Sequence, residues 1–320
     1  MNSIRRISVI AFCAFASIGA WVPRAVWAAR SSDSGESPEA DATLSEKATS
    51  QPAPLSPEVE ALIKQKEGQA ANARREGIAL LESYLRDARD PGEIAEVLYK
   101  LAELAWEEAQ ARYLEGMGKY EAAVEACKAD RNACKDVPRR RPRLDLNLAQ
   151  GTYRRLVEEF PKFRKIDTVL YLYAFSLREQ GKNDEAIGYF QRILKDFPSS
   201  RFRADAWMAL AEYRFYERRD FKGALAAYNN VNKFPDSPLY GLSLFKSAWC
   251  HWKLGQGDLA AARFKDVLDL TESAKNKGEK ARKQAAELQD QALEYLVELF
   301  IEDDSKSAQD AFDFLVQIGG

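Results

Sequence analysis

Between residues 170 and 270 the apolar positions fall three times into one arrangement: an aromatic-rich helical stretch, a polar turn, and a second helical stretch opening on alanine. The first copy runs Leu170-Tyr171-Leu172-Tyr173-Ala174, then Gly181-Lys182-Asn183-Asp184-Glu185-Ala186-Ile187, then Phe190, Ile193 and Phe197-Pro198. The second has Trp207, Leu210-Ala211, Ala224, Tyr228, Val231 and Phe234-Pro235; the third has Leu244, Ala248, Gly255, Ala260, Phe264 and Val267. The small residues Ala186, Ala224 and Ala260 lie 38 and 36 positions apart. Helical periodicity dominates after Ser56, and no convincing run of alternating β-branched residues occurs there. Small residues at a recurring offset let two helices cross closely, which predicts stacked helix pairs sharing one elongated core.

The same reading extends outward from the three copies. Ser56-Pro57-Glu58 offers a serine N-cap, a proline at the first helical position and an acid in the first turn, so order is expected to begin there. Residues 71–88 read as the second helix of an incomplete first unit, ended by Asp90-Pro91-Gly92. Residues 93–115 restart a first helix with Leu98, Leu101-Ala102, Ala105 and Trp106. Its partner is delayed until Leu148-Ala149, Tyr153, Leu156 and Phe160-Pro161, which leaves an insertion at about 113–146. That insertion is expected to be a helical extension and then a loop, with Gly116-Met117-Gly118-Lys119 interrupting the helix. Pro91, Pro161, Pro198 and Pro235 punctuate helix ends, because proline removes a backbone donor. After Leu270 a charged helix from roughly Ala274 to Ile301 precedes a last one, Ser305 to Ile318. Phe312, Phe314, Leu315 and Ile318 make one face of that last helix apolar, with nothing evident to cover it. That edge marks either a truncated form or a surface for a partner, self-association included.

Residues 1–28 have the layout of a secretory signal peptide: Arg5-Arg6, an apolar run from Ile7 to Val22, and Val26-Trp27-Ala28 before the expected cleavage. The apolar run is shorter than the roughly 20 residues that span a bilayer, so no transmembrane segment is expected in the mature chain. Phe12 is too large for a lipoprotein cleavage site before Cys13. Residues 29–55, rich in Ser, Glu, Ala and Pro, read as a disordered leader, and residues 56–320 as the helical solenoid. Removing residues 1–28 takes away three arginines and leaves 44 basic against 49 acidic residues, a net charge of −5. This argues against broad binding of nucleic acid or anionic membrane. Arg139-Arg140-Arg141-Pro142-Arg143 is a local exception, either a contact for an acidic partner or phosphate-rich head group, or a solvated loop.

Little catalytic chemistry is evident. The single histidine, His251, sits inside a repeat helix, and no nucleophile has an evident base. No His/Cys/Asp cluster has metal-ligand spacing, so neither metal nor cofactor is expected. Cys127 and Cys134 lie seven residues apart in the insertion. On one continuous helix they would be about 10 Å apart, too far to pair, but the polar residues between them can turn. In an oxidising compartment the expectation is an intrachain disulfide, against two separate thiols. Cys250 is left over and is expected to be reduced and packed between helices.

A repeat of this length, with small residues at the helix crossing, resembles the tetratricopeptide repeat (TPR), over roughly residues 93–270. The resemblance implies a right-handed superhelical solenoid, all-α, whose first helices line a concave groove that holds other proteins. Carried over, the groove positions are Tyr99, Glu103 and Trp106; Tyr171, Phe175 and Arg178; Met208, Glu212 and Phe215; and Phe245, Trp249, Trp252 and Lys253. Rigid aromatics with a few charges suit an extended or helical peptide; each can equally serve as packing between units.

The stretches Glu93 to Trp106, Ile166 to Tyr171, Phe234 to Gly241 and Trp249-Cys250-His251 are similar to exported TPR proteins of gliding bacteria, of the adventurous-gliding-motility type. That resemblance implies a non-enzymatic scaffold in the periplasm or on the periplasmic face of the cell envelope, serving a motility or transport machine. Its partners would be other envelope proteins or peptide segments. The alternatives are an accessory role in outer-membrane protein assembly or peptidoglycan synthesis, an envelope enzyme, and a structural spacer.

Overall fold

The computed structural model describes residues 56–274 and 279–302, and beyond them only Gln309 and Val316. The expected signal peptide, leader and most of the last helix lie outside the described residues. Among those described, regular structure is helical: α1 (Pro57–Asp87), α2 (Pro91–Ala129), α3 (Asn147–Glu159), α4 (Ile166–Glu179), α5 (Asn183–Asp196), α6 (Arg203–Glu212), α7 (Phe221–Val231), α8 (Tyr240–Lys253), α9 (Gly257–Ala274) and α10 (Glu279–Glu302). Each helix packs on the next along the chain, and α8 also reaches α10. The architecture is the expected all-α, TPR-like solenoid of helix pairs.

The three repeats are α4–α5, α6–α7 and α8–α9. Their second helices bury one face at four- and seven-residue steps: Ala186, Phe190 and Ile193; Ala224, Tyr228 and Val231; Ala260, Phe264 and Val267. On the first helices Ala174, Ala211 and Ala248 are also completely buried. Small buried residues on both helices of a pair let two backbones approach closely, and larger buried residues one turn on fill the space beside them.

Successive units are joined by one repeated turn. The Phe163 amide donates to the Phe160 carbonyl and that of Ile166 to Phe163, each at 2.9 Å. Ser200 to Phe197 and Arg203 to Ser200 repeat it, as do Ser237 to Phe234 and Tyr240 to Ser237. First helices therefore begin at Ile166, Arg203 and Tyr240, an even spacing of 37 residues.

The uneven 38 and 36 arise within the middle unit. In the outer two, the turn between helices closes on a glycine in the left-handed region, Gly181 at φ 76° and Gly255 at φ 71°. The Lys182 amide then reaches back to the Leu177 carbonyl and that of Gln256 to His251, both at 2.9 Å, which satisfies carbonyls that the helix end leaves free. In the middle unit Arg219 takes this place at φ 51°, and the Asp220 amide reaches one residue further back, to Arg214 at 2.9 Å. The extra residue is absorbed in a π-helical turn, Tyr213–Glu217, which continues α6.

Two expectations need correction. The helix placed at 71–88 is only the later part of α1, which starts at Pro57 and runs unbroken. Gly116-Met117-Gly118-Lys119 does not interrupt α2, which passes straight through it with Met117 buried. Gly116 serves a close approach instead: a Cβ there would lie 3.3 Å from the ring of Pro142 in the following loop. The insertion is otherwise a helical extension to Ala129, a 3-10 turn at Arg131–Asp136, and a loop that ends where Leu146 is buried ahead of α3. Cys127 and Cys134 form a disulfide, with Cα atoms 4.3 Å apart, because the chain leaves the helix at Asp130 between them.

Candidate docking face on the first helices

Lys253 is exposed and Glu103 half-buried, and the other groove positions separate by exposure into two groups. Tyr99, Tyr171, Phe175, Met208, Phe215 and Phe245 are buried, while Trp106, Arg178, Glu212, Trp249 and Trp252 are half-buried. The first group packs within and between units. Tyr171 stacks on Phe202 at 4.3 Å between ring centres, Phe215 meets Phe221 edge-on at 5.1 Å, and Phe245 meets Phe264 at 5.6 Å. Phe245 thereby belongs to the core that α8, α9 and α10 share. Tyr99 is covered by Phe163 and by the Lys165 ammonium 4.3 Å above its ring, and burial pushes its phenol well above the usual range. These six rings and side chains fix the geometry of the face and present little of themselves to a partner.

Of the second group, Trp249 and Trp252 share α8, while Trp106, Arg178 and Glu212 lie on α2, α4 and α6. Trp249 and Trp252 are three residues apart on one helical face, with ring centres 5.3 Å apart. Tyr295 of α10 meets Trp249 edge-on at 4.6 Å and lies 6.1 Å from Trp252. Lys253 holds its ammonium 5.5 Å from the Trp249 ring. Trp106 stands apart, beside Phe175 at 5.8 Å.

A polar network borders the aromatic cluster. Lys246, one turn before Cys250, donates to the Tyr216 hydroxyl and lies 5.0 Å from its ring. Tyr228 donates to Glu212 at 2.6 Å. Burial works against the charge on Lys246, but the Glu212 carboxylate and Tyr216 outweigh it and raise its affinity for the proton. Lys246 and Glu212 thus stand as opposite charges beside apolar rings. Cys250 is fully buried and free, and burial pushes its thiol up to about 12, so it stays protonated and unreactive at neutral pH. His251 turns its Nδ1 to Gln256 Oε1 at 2.7 Å, at the mouth of the turn after α8.

The repeat spacing could place the two tryptophans on one face, but it could not supply Tyr295, Tyr216 or Lys246. Tyr295 lies in a charged helix beyond the last repeat, where the period no longer predicts neighbours. Tyr216 is carried by the π-helical turn that the inserted residue creates.

Residues 168–200 match the tetratricopeptide-repeat family. The match covers most of α4, all of α5 and the start of the turn that follows, the unit whose helices are joined by the turn at Gly181. No curated protein matches the chain. A TPR repeat suggests a scaffold for protein–protein contact, and the half-buried rings around α8 with charged side chains beside them have that character. Among the described residues no group of three His, Cys, Asp or Glu is placed to hold a metal, and no helix is long and apolar enough to cross a membrane.

Proposed function

We propose that the chain is a non-enzymatic scaffold of the cell envelope that holds a segment of another protein against its first helices, centred on Trp249 and Trp252. The half-buried tryptophan pair, held edge-on by Tyr295 and bordered by Lys246 and Glu212, carries this reading. Two rigid rings already fixed by their neighbours offer apolar area at low entropic cost on binding, and the adjacent charges orient what binds. Export rests on the signal-peptide layout of residues 1–28. A place in a motility or transport machine rests on the resemblance to envelope TPR proteins of gliding bacteria.

Crosslinking and affinity capture from the envelope of the source cell, comparing wild type with Trp249→Ala/Trp252→Ala, tests the docking face. Loss of one or two proteins from the variant, with helical circular dichroism unchanged, supports it and names the machine. Recovery of the same proteins by both forms removes it. N-terminal sequencing of the chain purified from its own cells tests export; the expected first residue is Ala29.

A further inference from the structure

The insertion carries a charge that nothing within the described structure answers. From Cys127 to Leu146 the chain has seven basic and three acidic residues, although the whole protein is net −2. Arg139, Arg140, Arg141 and Arg143 are all exposed. Among the described residues none of these four makes a hydrogen bond or an ion pair. Nearby acids are largely committed elsewhere. Asp130 accepts from the Asn132 amide at 2.9 Å and Asp145 from that of Asn147 at 3.1 Å. Glu115 and Glu125 of α2 pair with Lys119 and Lys128 on their own helix.

The arginines are not on a free strand. Pro138 and Pro142 fix the backbone on either side of the triplet. Pro142 rests against Gly116, Leu146 is buried at 1% exposure, and the Cys127–Cys134 disulfide closes the turn before the loop. Like charges repel, and anchoring four of them side by side is unfavourable unless an anion completes them. Anchoring also removes much of the ordering cost that a flexible basic tail would meet on binding.

We propose that this loop is a second docking site, distinct from the aromatic face, for a carboxylate-rich segment of a partner protein. The residue type favours that occupant. Guanidinium groups take carboxylates two bonds at a time, and all four cations here are arginine. A membrane-binding segment would add apolar or aromatic side chains for insertion between head groups, and a nucleic-acid surface would add stacking aromatics. Residues 127–146 contain no aromatic, and none of their large apolar side chains is exposed.

The test uses the full chain with its disulfide intact and a fluorescein-labelled peptide of eight glutamates, followed by fluorescence anisotropy at low and high salt. Wild type is expected to bind with affinity that falls as salt rises. R139Q/R140Q/R141Q/R143Q is expected to bind about tenfold or more weakly, with circular dichroism unchanged. C127S/C134S keeps every charge and is expected to lose about threefold by loosening the loop. Equal binding by wild type and the quadruple variant overturns the proposal, as does no binding by wild type. Arginine-dependent sedimentation with phosphatidylglycerol vesicles, without peptide binding, overturns it in favour of a membrane surface.

Discussion

Arg219 occupies a backbone position that its two counterparts, Gly181 and Gly255, fill without a side chain. A left-handed conformation costs a residue with a Cβ roughly 1–2 kcal/mol. Glycine would relieve this but give the unfolded chain extra freedom, worth about 0.4–1 kcal/mol in the other direction. Relief is the larger effect, so Arg219→Gly is expected to stabilise the protein by about 0.5–1 kcal/mol, read as an upward shift of the thermal midpoint. A lower midpoint would mean that the arginine side chain contributes contacts exceeding its strain. At this scale the sequence was only partly legible. The spacing of Trp249 and Trp252 put them on one helical face, but Phe245 on the same helix is core because α10 covers it. A single-helix pattern cannot reveal a third helix packed across it.

Among the elements, α1 and the insertion were the hardest to anticipate, for opposite reasons. Helix α1 buries no residue fully along its 31 positions, so no apolar stripe announced its first half. It is built from strong helix formers, and its contact with α2 includes a partly buried ion pair, Arg74 to Glu108 at 3.3 Å. In α2 the two glycines looked like a break because glycine disfavours a helix interior by about 1 kcal/mol relative to alanine. The contact that uses Gly116 comes from Pro142, in a loop that no local pattern links to the helix. Gly116→Leu should leave α2 helical while displacing Pro142, so trypsin should cut after Arg139, Arg140 or Arg143 several-fold faster than in wild type. An unchanged rate, with α2 intact, would show that Pro142 does not hold the loop. The second helices, in contrast, were legible in advance: their alanine and the large residues four and seven positions on repeat in all three units.

Across the whole molecule, each helix touches mainly its neighbours in sequence, so stability is distributed along the chain and not pooled in one centre. Phe264 is completely buried where α8, α9 and α10 meet. Phe264→Ala should remove about 3–5 kcal/mol, and the loss should stay local. Hydrogen exchange should speed up in α8–α10 while α4 and α5 keep most of their protection; uniform loss would instead mark one cooperative unit. The even 37-residue spacing of the starts of α4, α6 and α8 survives an added residue in the middle unit, because the π-helical turn confines it between α6 and the next helix. A solenoid with such a turn can gain or lose a residue without shifting the register of the units beyond it. Its repeats can therefore diverge in length over evolutionary time, and the side chain that the inserted residue brings to the surface, here Tyr216 beside Lys246, becomes raw material for a new contact.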